Sequence, residues 1–508
     1  MSAKNILFIC TDQHRQDSLK PYNKQSICNT PNLDKLSDES VIFDNAYSSC
    51  PVCTPARSSM QCGLFPSTTG METNSFQTGC RTHEIPDNPL LLSRRLIKQN
   101  YSPLFTGKWH LGVGKDKTKT WEGSELLRVY DELNEWDVEA FRNYGTLPTD
   151  VGYVGDDFPG HGNGGWHYKQ FKQYLKDNNL ELNINNTTGL KNPGDHSTYG
   201  EVTSPIESTI EYFLVNRSMD LIEESRKETK PFFLSLNFWG PHEPFFAPTE
   251  YLNKYKDVKI PAWKSFDEDP NNQPKMLEIL RRPEKDWSFF ENTLRHYYAV
   301  IEHIDNQIGR LINYLKENGL YDDTVIIFTS DHGDYQGVHG GLENKSYGMY
   351  DDITKIPLMI KPAMKDYEGH HEKALVGTCD LYATVLDIAG STGDWGDGRS
   401  LIPFIDDKNH IWPDEIMCEG LGACEVITTQ RMYRKGNIKY VFNGSDKDQL
   451  FDLENDKEEL INLADSDKAL LKEMQLSFAS YLKKNNFPIY NLLCKLNHLN
   501  EWDFSNQK

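Results

Sequence analysis

The 508-residue chain has no long apolar run, no excess of positive charge and no regular ladder of cysteines. Its most continuous apolar stretches, Ile6-Leu7-Phe8-Ile9-Cys10 and Val325-Ile326-Ile327-Phe328, fall far short of the ~20 residues that a membrane helix needs, so no bilayer span is expected. Lys and Arg number 54 against 75 Asp and Glu, a formal net charge of −21. That balance argues against a nucleic-acid backbone or an anionic membrane as the main partner, because both select basic faces. An anionic small substrate remains compatible, since it sees the local field of its pocket. The 10 cysteines are scattered and do not form the framework of a disulfide-stapled domain. Met1-Ser2-Ala3-Lys4 runs straight into a short strand ending in Thr11-Asp12, without the apolar core of a signal peptide; a reducing cytoplasm is the expected location. No internal repeat or low-complexity tract is present.

What the chain does have is 38% hydrophobic residues and enough length for two unequal lobes. Short β-branched or aromatic runs, Ile6 to Cys10, Pro231 to Asn237 and Thr324 to Thr329, end in polar residues and alternate with helical stretches. This is the pattern of an α/β fold: a large central mixed, mostly parallel sheet covered by helices on both faces. Tyr297, Ile301, Ile304, Ile308, Leu311 and Leu315 step by three or four residues, which predicts an amphipathic helix closed by Asn318-Gly319. A second helix is expected over about Asp380 to Ala389, with Asp380 as N-cap and Gly390 ending it.

From about Arg399 the run Tyr433 to Asn443, a Gly444-Ser445 turn and Gln449 to Leu453 suggest a short antiparallel sheet, followed by a helix over about Asp467 to Lys483. The expected division is a catalytic domain over 1–398 and a C-terminal α+β subdomain over 399–508. The polar, Gly-rich stretch 115–230 reads as an insertion that shapes a pocket.

Four segments put polar residues where an α/β sheet keeps its ligands, just beyond strand ends. Asp12-Gln13-His14 follows the first strand, and Asp331-His332-Gly333-Asp334 follows a later one. Two carboxylates, a carboxamide oxygen and an imidazole from two strand ends suit one divalent cation. Taken singly, each Asp has a blander reading as a turn former or N-cap. Cys50-Pro51-Val52-Cys53-Thr54-Pro55-Ala56-Arg57 sets a thiol four residues from a cation near a helix start, an activated-nucleophile arrangement. Cys50-x-x-Cys53 also has the spacing of a dithiol redox site or half a zinc site, and no second Cys-x-x-Cys accompanies it. Lys108, His110, His242 and Lys345 read singly as surface lysines and satisfied histidines. Gathered with Arg57 inside an acidic protein, they would form a pocket for a tetrahedral oxyanion.

Cys53-Thr54-Pro55-Ala56-Arg57 resembles the Cys-x-Pro-x-Arg maturation signature of type I, formylglycine-dependent sulfatases in the alkaline phosphatase superfamily, and the other segments follow in that family's order along essentially the whole chain. The resemblance implies that a maturation enzyme oxidises Cys53 to formylglycine (3-oxoalanine), whose hydrate is the nucleophile. It makes Asp12, Gln13, Asp331 and His332 the metal ligands, together with an oxygen on modified Cys53. Arg57 and Lys108 would hold the hydrate and the sulfate oxygens, His110 would abstract the proton that regenerates the aldehyde, and His242 and Lys345 would contact the sulfate and the leaving oxygen. Calcium is the implied ion, with manganese or magnesium as alternatives.

Gln13 stands where many members have a second Asp, and His332 where many have Asn. Cys62-Gly63 replaces a common Thr-Gly. Asp-His at 331 and 332 also resembles phosphonate and phosphodiester hydrolases of the same superfamily, the alternative function. For the main reading, hydrolysis of a sulfate ester, a small sulfated saccharide attacked at a chain end is the expected substrate. His161, Trp166 and His167 in the insertion, with Glu419 and Arg431 in the C-terminal part, are the candidate sugar contacts.

Overall fold

The computed structural model describes residues 4–75, 80–112, 146–158, 163–166, 168–186, 198–269, 273–282, 284–345, 347–406, 410–423 and 426–497. Its central sheet has eight strands: β1 (Asn5–Thr11), β2 (Val41–Tyr47), β3 (Ser102–Gly107), β4 (Val154–Gly155), β7 (Phe232–Asn237), β9 (Thr324–Ser330), β10 (Leu358–Lys361) and β11 (His370–Gly377). They lie in the order β11-β2-β10-β9-β1-β7-β3-β4. β10 runs antiparallel to both its neighbours and the remaining pairs are parallel, so the sheet is mixed and mostly parallel, as the sequence predicts. A three-stranded sheet joins β5 (Ile184–Asn186), β6 (Tyr199–Val202) and β8 (Phe245–Pro248). A four-stranded antiparallel sheet joins β12 (Glu415–Ala423), β13 (Val426–Lys435), β14 (Ile438–Phe442) and β15 (Gln449–Asp452) in chain order.

Successive side chains of a strand point to opposite faces, and both faces of the large sheet are buried. Leu7 and Ile9 of β1 pack with Leu234, Leu236, Ile326 and Phe328 on one side. Ile6, Phe8 and Cys10 pack with Phe233, Val325 and Ile327 on the other. The helix Trp287–Glu317 covers the first face with the residues its periodicity picks out, from Tyr297 to Leu315. Its N-cap Asp286 accepts from Phe289 N–H. The helix Thr378–Ile388 covers the second face, but begins before the expected Asp380. Gly377 is its N-cap and Asp380 sits inside the first turn, accepting from Gly377 N–H at 2.8 Å and Arg399 N–H at 2.7 Å.

In the C-terminal part, Tyr433 to Asn443 is divided by a turn at Gly436, whose φ of +55° suits glycine, so it supplies the end of β13 and all of β14. The helix Lys468–Lys484 matches the expected span to within a residue at each end, and Asp467 is its N-cap, accepting from Leu470 N–H.

The consequence for function is alignment. Thr11 pairs with Ser330, Cys10 with Asn237, and Gly107 with Asn237, so the carboxyl ends of β9, β1, β7 and β3 stand side by side. Gly107 makes the closest approach. A Cβ there would lie 1.8 Å from the Asn237 carbonyl oxygen, and φ is +96°, so only glycine fits between β3 and β7.

Candidate active site

The residues that follow those aligned ends converge. Asp12 and Gln13 leave β1, Asp331 and His332 leave β9, and Lys108 leaves β3 with its N–H on Asn237 O at 2.9 Å. Cys53 arrives on the first turn of the helix Cys53–Cys62. Pro55 falls in that same turn, where a backbone N–H has no intrahelical partner to lose. Arg57, four residues after Cys53, shares its helix face. The Cys-x-Pro-x-Arg spacing therefore brings thiol and guanidinium to one place.

Asp12, Cys53, Asp331 and His332 each offer one ligand atom within 4.8 Å of the others, and all four residues are buried. Cys53 Sγ stands 3.3 Å from His332 Nε2 and 3.7 Å from Asp12 Oδ1. His332 Nε2 is 4.0 Å from Asp12 Oδ1 and 3.7 Å from Asp331 Oδ1. The far side of each group is occupied. Arg57 Nη2 and Lys108 Nζ donate to Asp12 Oδ2 at 2.9 and 2.6 Å, and Arg57 Nε donates to Asp331 Oδ2 at 2.9 Å. His332 Nδ1 meets the Gly333 carbonyl at 2.8 Å. A carbonyl only accepts, so Nδ1 carries the proton and Nε2 presents its lone pair to the cluster. Hard oxygens and an imidazole nitrogen turned toward one point fit a single divalent cation.

Burial opposes ionisation of Asp12, but Lys108, His242, Arg57 and Lys345 outweigh it and hold the carboxyl well below its usual range. Burial, reinforced by the Asp12 charge, lifts Asp331 to about 6. Burial also lowers His332, which favours the neutral imidazole that binds metal. The cations continue outward. Lys108 Nζ is 3.6 Å from Cys53 Sγ, and Lys345 Nζ donates to Gln13 Oε1 at 2.6 Å. His110 is buried with φ of +53°, and its carbonyl accepts from Thr54 Oγ at 2.7 Å, tying the loop after β3 to the residue beside Cys53. His242 follows β7, with Nδ1 on the Glu243 carbonyl at 2.7 Å, and its charge bears on Asp12.

The other sequence candidates divide. Trp166 is half-buried, stacks on Phe246 at 5.2 Å and 22°, and lines a small cleft with Trp239, Glu211 and His242. His161 and His167 lie outside the described residues. Glu419 and Arg431 are not open rim groups. They are buried, directly paired across β12 and β13, and joined at 3.1 Å, with Glu419 Oε2 also accepting from Ser67 N–H at 2.8 Å. Cys50 is a separate buried thiol, pushed up by burial, and only Cys53 of the two joins Asp12, Asp331 and His332. Asn237, which the sequence shows only as a strand end, accepts through Oδ1 from Arg57 Nη1 at 3.3 Å. Its place at the end of β7 was the available signal. Asp334, in the segment already singled out, accepts from Gln13 Nε2 at 2.5 Å.

Comparison with known proteins bears on this geometry. The Sulfatase family model matches residues 4–391. The choline-sulfatase of Rhizobium meliloti (strain 1021) is 28% identical over 496 residues, covering 93% of this chain and 85% of that protein. The phosphonate monoester hydrolase of Agrobacterium radiobacter has a similar fold, with a TM-score of 0.72 at 23% identity over 95% of each chain. A protein solved in complex with its substrate D-glucosamine-2-N,6-O-disulfate has a TM-score of 0.68 at 19% identity, over 96% of this chain and 99% of that one. The chain belongs to the sulfatase family and is a sulfuric ester hydrolase.

Proposed function

As a member of that family, we propose, the protein releases sulfate from a small sulfated carbohydrate, using an aldehyde hydrate made from Cys53 and one divalent cation. The observation that carries the reading is the position of Cys53: at a helix start, inside the group formed with Asp12, Asp331 and His332, and within reach of Lys108. Calcium suits the two carboxylates; manganese or magnesium suits the added imidazole equally well. Gln13 is the further candidate ligand, through the second lone pair of Oε1, whose other lone pair accepts from Lys345. When present, the cation supplies Lewis acidity and the Cys53-derived hydrate supplies the attacking oxygen.

The chain's own residues do the rest. Arg57 and Lys108 place fixed positive charge where sulfate oxygens gather negative charge in the transition state, inside a buried site where such charges act strongly. His242 is held through Nδ1, so Nε2 is the atom that passes a proton to the leaving oxygen, with Lys345 beside it. His110 takes up the proton that lets sulfate depart. Trp166 over Phe246, next to His242, offers an aromatic wall for a sugar face. The β12–β13 hairpin reaches Lys345, with which Gly420 and Gln430 line a small gap, and this supports a C-terminal subdomain from residue 399 closing the pocket on small, exo-attacked saccharides. No helix among the described residues is long and apolar enough to cross a membrane. A cytoplasmic enzyme of this kind would act on small imported fragments.

Expression with a formylglycine-generating enzyme, followed by intact mass spectrometry, is expected to show the thiol of residue 53 converted to an aldehyde. Cys53→Ala should abolish sulfate release from position-defined sulfated mono- and disaccharides; full activity in that variant would end the reading. The Asp331-His332 pair also supports a second reading, phosphodiester or phosphonate monoester hydrolysis by the same residues. Matched aryl sulfate and aryl phosphodiester substrates, assayed side by side, separate the two.

A further inference from the structure

Asp334 is buried two residues beyond His332, and none of the proposed chemical steps uses it. Its carboxylate accepts from Gln13 Nε2 at 2.5 Å and Gln336 Nε2 at 2.9 Å on Oδ2, and from Gln336 N–H at 3.1 Å on Oδ1. Its backbone is anchored separately, with Arg15 Nη1 donating to Asp334 O at 2.7 Å and Asp334 N–H donating to Asp352 O at 3.1 Å. On the other side of Gln13, Lys345 Nζ donates to Oε1 at 2.6 Å. The two ends of the amide therefore face groups of fixed and opposite hydrogen-bonding character. An ionised carboxylate can only accept, and an ammonium can only donate. Turning the amide by 180° would set NH2 against the ammonium and oxygen against the carboxylate, making both contacts repulsive.

We propose that Asp334 is a positioning residue: it fixes the orientation of the Gln13 carboxamide so that its oxygen faces Lys345, and thereby sets where the Lys345 ammonium stands at the reacting group. The chain Asp334, Gln13, Lys345 is a polarity relay of alternating acceptor, donor–acceptor and donor, held rigid by the Arg15 contact to the Asp334 backbone. Gln13 suits this relay because a carboxamide has both an accepting and a donating end. A carboxylate at position 13 would oppose Asp334. The inference rests on the proposed contact of Lys345 with the substrate sulfate.

The test is a set of variants in matured, metal-loaded protein, read by kcat/KM on an aryl sulfate and by calorimetric affinity for inorganic sulfate. Asp334→Asn keeps the shape but leaves one accepting oxygen for the three donors that face it, and is expected to lower kcat/KM by roughly 10- to 100-fold, the scale of a lost outer hydrogen bond. Gln13→Glu, which opposes two carboxylates, should fall comparably. The double variant Gln13→Glu/Asp334→Asn restores an accepting–donating pair in reversed polarity, with the second Glu oxygen still facing Lys345. It should recover at least tenfold over either single variant in both readouts. A purely structural role for Asp334 predicts no such rescue.

Lys345→Met supplies an independent arm should the Glu variant fold poorly. Once the ammonium is gone, adding Asp334→Asn should lower kcat/KM by a clearly smaller factor than it does in the parent, what remains of the loss falling on Gln13 as a metal ligand. A double variant no better than the product of its singles, a full further loss in the Lys345→Met background, or an Asp334→Asn enzyme within twofold of the parent would each overturn the proposal. Failure of the sulfatase reading is distinguishable from these, because the unsubstituted protein would then neither turn over aryl sulfate nor bind inorganic sulfate.

Discussion

Two buried imidazoles in this molecule each lie between two carboxylates, and they respond in opposite directions. His332 stands among Asp12 and Asp331, and its pKa is lowered; His339 stands between Glu268 and Asp352, and its pKa is raised to about 9. Burial disfavours the charged ring in both. The difference lies in how the surrounding groups are already used. Both nitrogens of His339 face carboxylates, Nδ1 on Glu268 at 2.9 Å and Nε2 on Asp352 at 3.4 Å, while the ring stacks on Tyr350. Around His332, Nδ1 is bound to a backbone carbonyl, and Arg57 and Lys108 already neutralise the two carboxylates. Lys345 adds further positive charge. The same residue types therefore build a closed ion-pair brace in one place and an open donor set in the other.

The sharpest way to break that comparison is to remove each ring. His332→Ala is expected to reduce sulfate release by more than the roughly 100-fold that follows loss of an outer partner, since it deletes a candidate ligand. His339→Ala should retain turnover but lose about 1.5–3 kcal/mol of stability, because it removes the shared hydrogen-bond partner of Glu268 and Asp352, which keep Arg281 and Arg15. Chemical denaturation and steady-state kinetics on both variants check this, and a His332→Ala enzyme of normal activity would sink the distinction.

The pH dependence sharpens it next. The folded-state value of His339 lies above the ordinary 6.5, so its stabilisation is complete below about 6.5 and is lost as pH rises through about 9. That difference corresponds to about 3 kcal/mol. Urea midpoints of the parent should fall from pH 6 to pH 10 more steeply than those of His339→Gln; parallel profiles would show that the brace is not protonated.

Metal addition probes the other cluster. Calcium at 100 times its dissociation constant should stabilise the parent by about 2.7 kcal/mol through linkage. His339→Gln should keep that response and His332→Ala should lose it, as read by thermal unfolding with and without a chelator. An equal response in all three would place the ion elsewhere.

The open cluster was legible in the sequence because strand ends advertise themselves. Ile6 to Cys10 and Thr324 to Thr329 mark β1 and β9, and the polar residues after them fall at the sheet's carboxyl edge. The long helix was equally plain, since Tyr297 to Leu315 keep one period throughout. The antiparallel part was harder. β12 contains Glu419, Gly420 and Gly422, so no apolar alternation announces it, and Glu419 finds Arg431 through cross-strand register, a property of two strands that neither shows alone. Asp334 was visible as a residue but not as an orienter, because its partner Gln13 is 321 positions away.

Exposure supplies the smallest test. Lys264 and Glu458 lie at 2.7 Å on the wall of the same cavity that Arg15 and Asp352 line, so they share a neighbourhood with the His339 brace. Their side chains are 76% and 44% exposed, against 2% for His339. Water screens the exposed pair and ordering two long side chains offsets the remaining attraction, so Lys264→Ala should change stability by less than about 1 kcal/mol. If denaturation instead gives a loss comparable to that of His339→Ala, exposure is not what separates the two, and the cavity wall must act as one coupled network. A double variant decides the matter: independent contributions add, whereas a network makes the second substitution cheaper than the first.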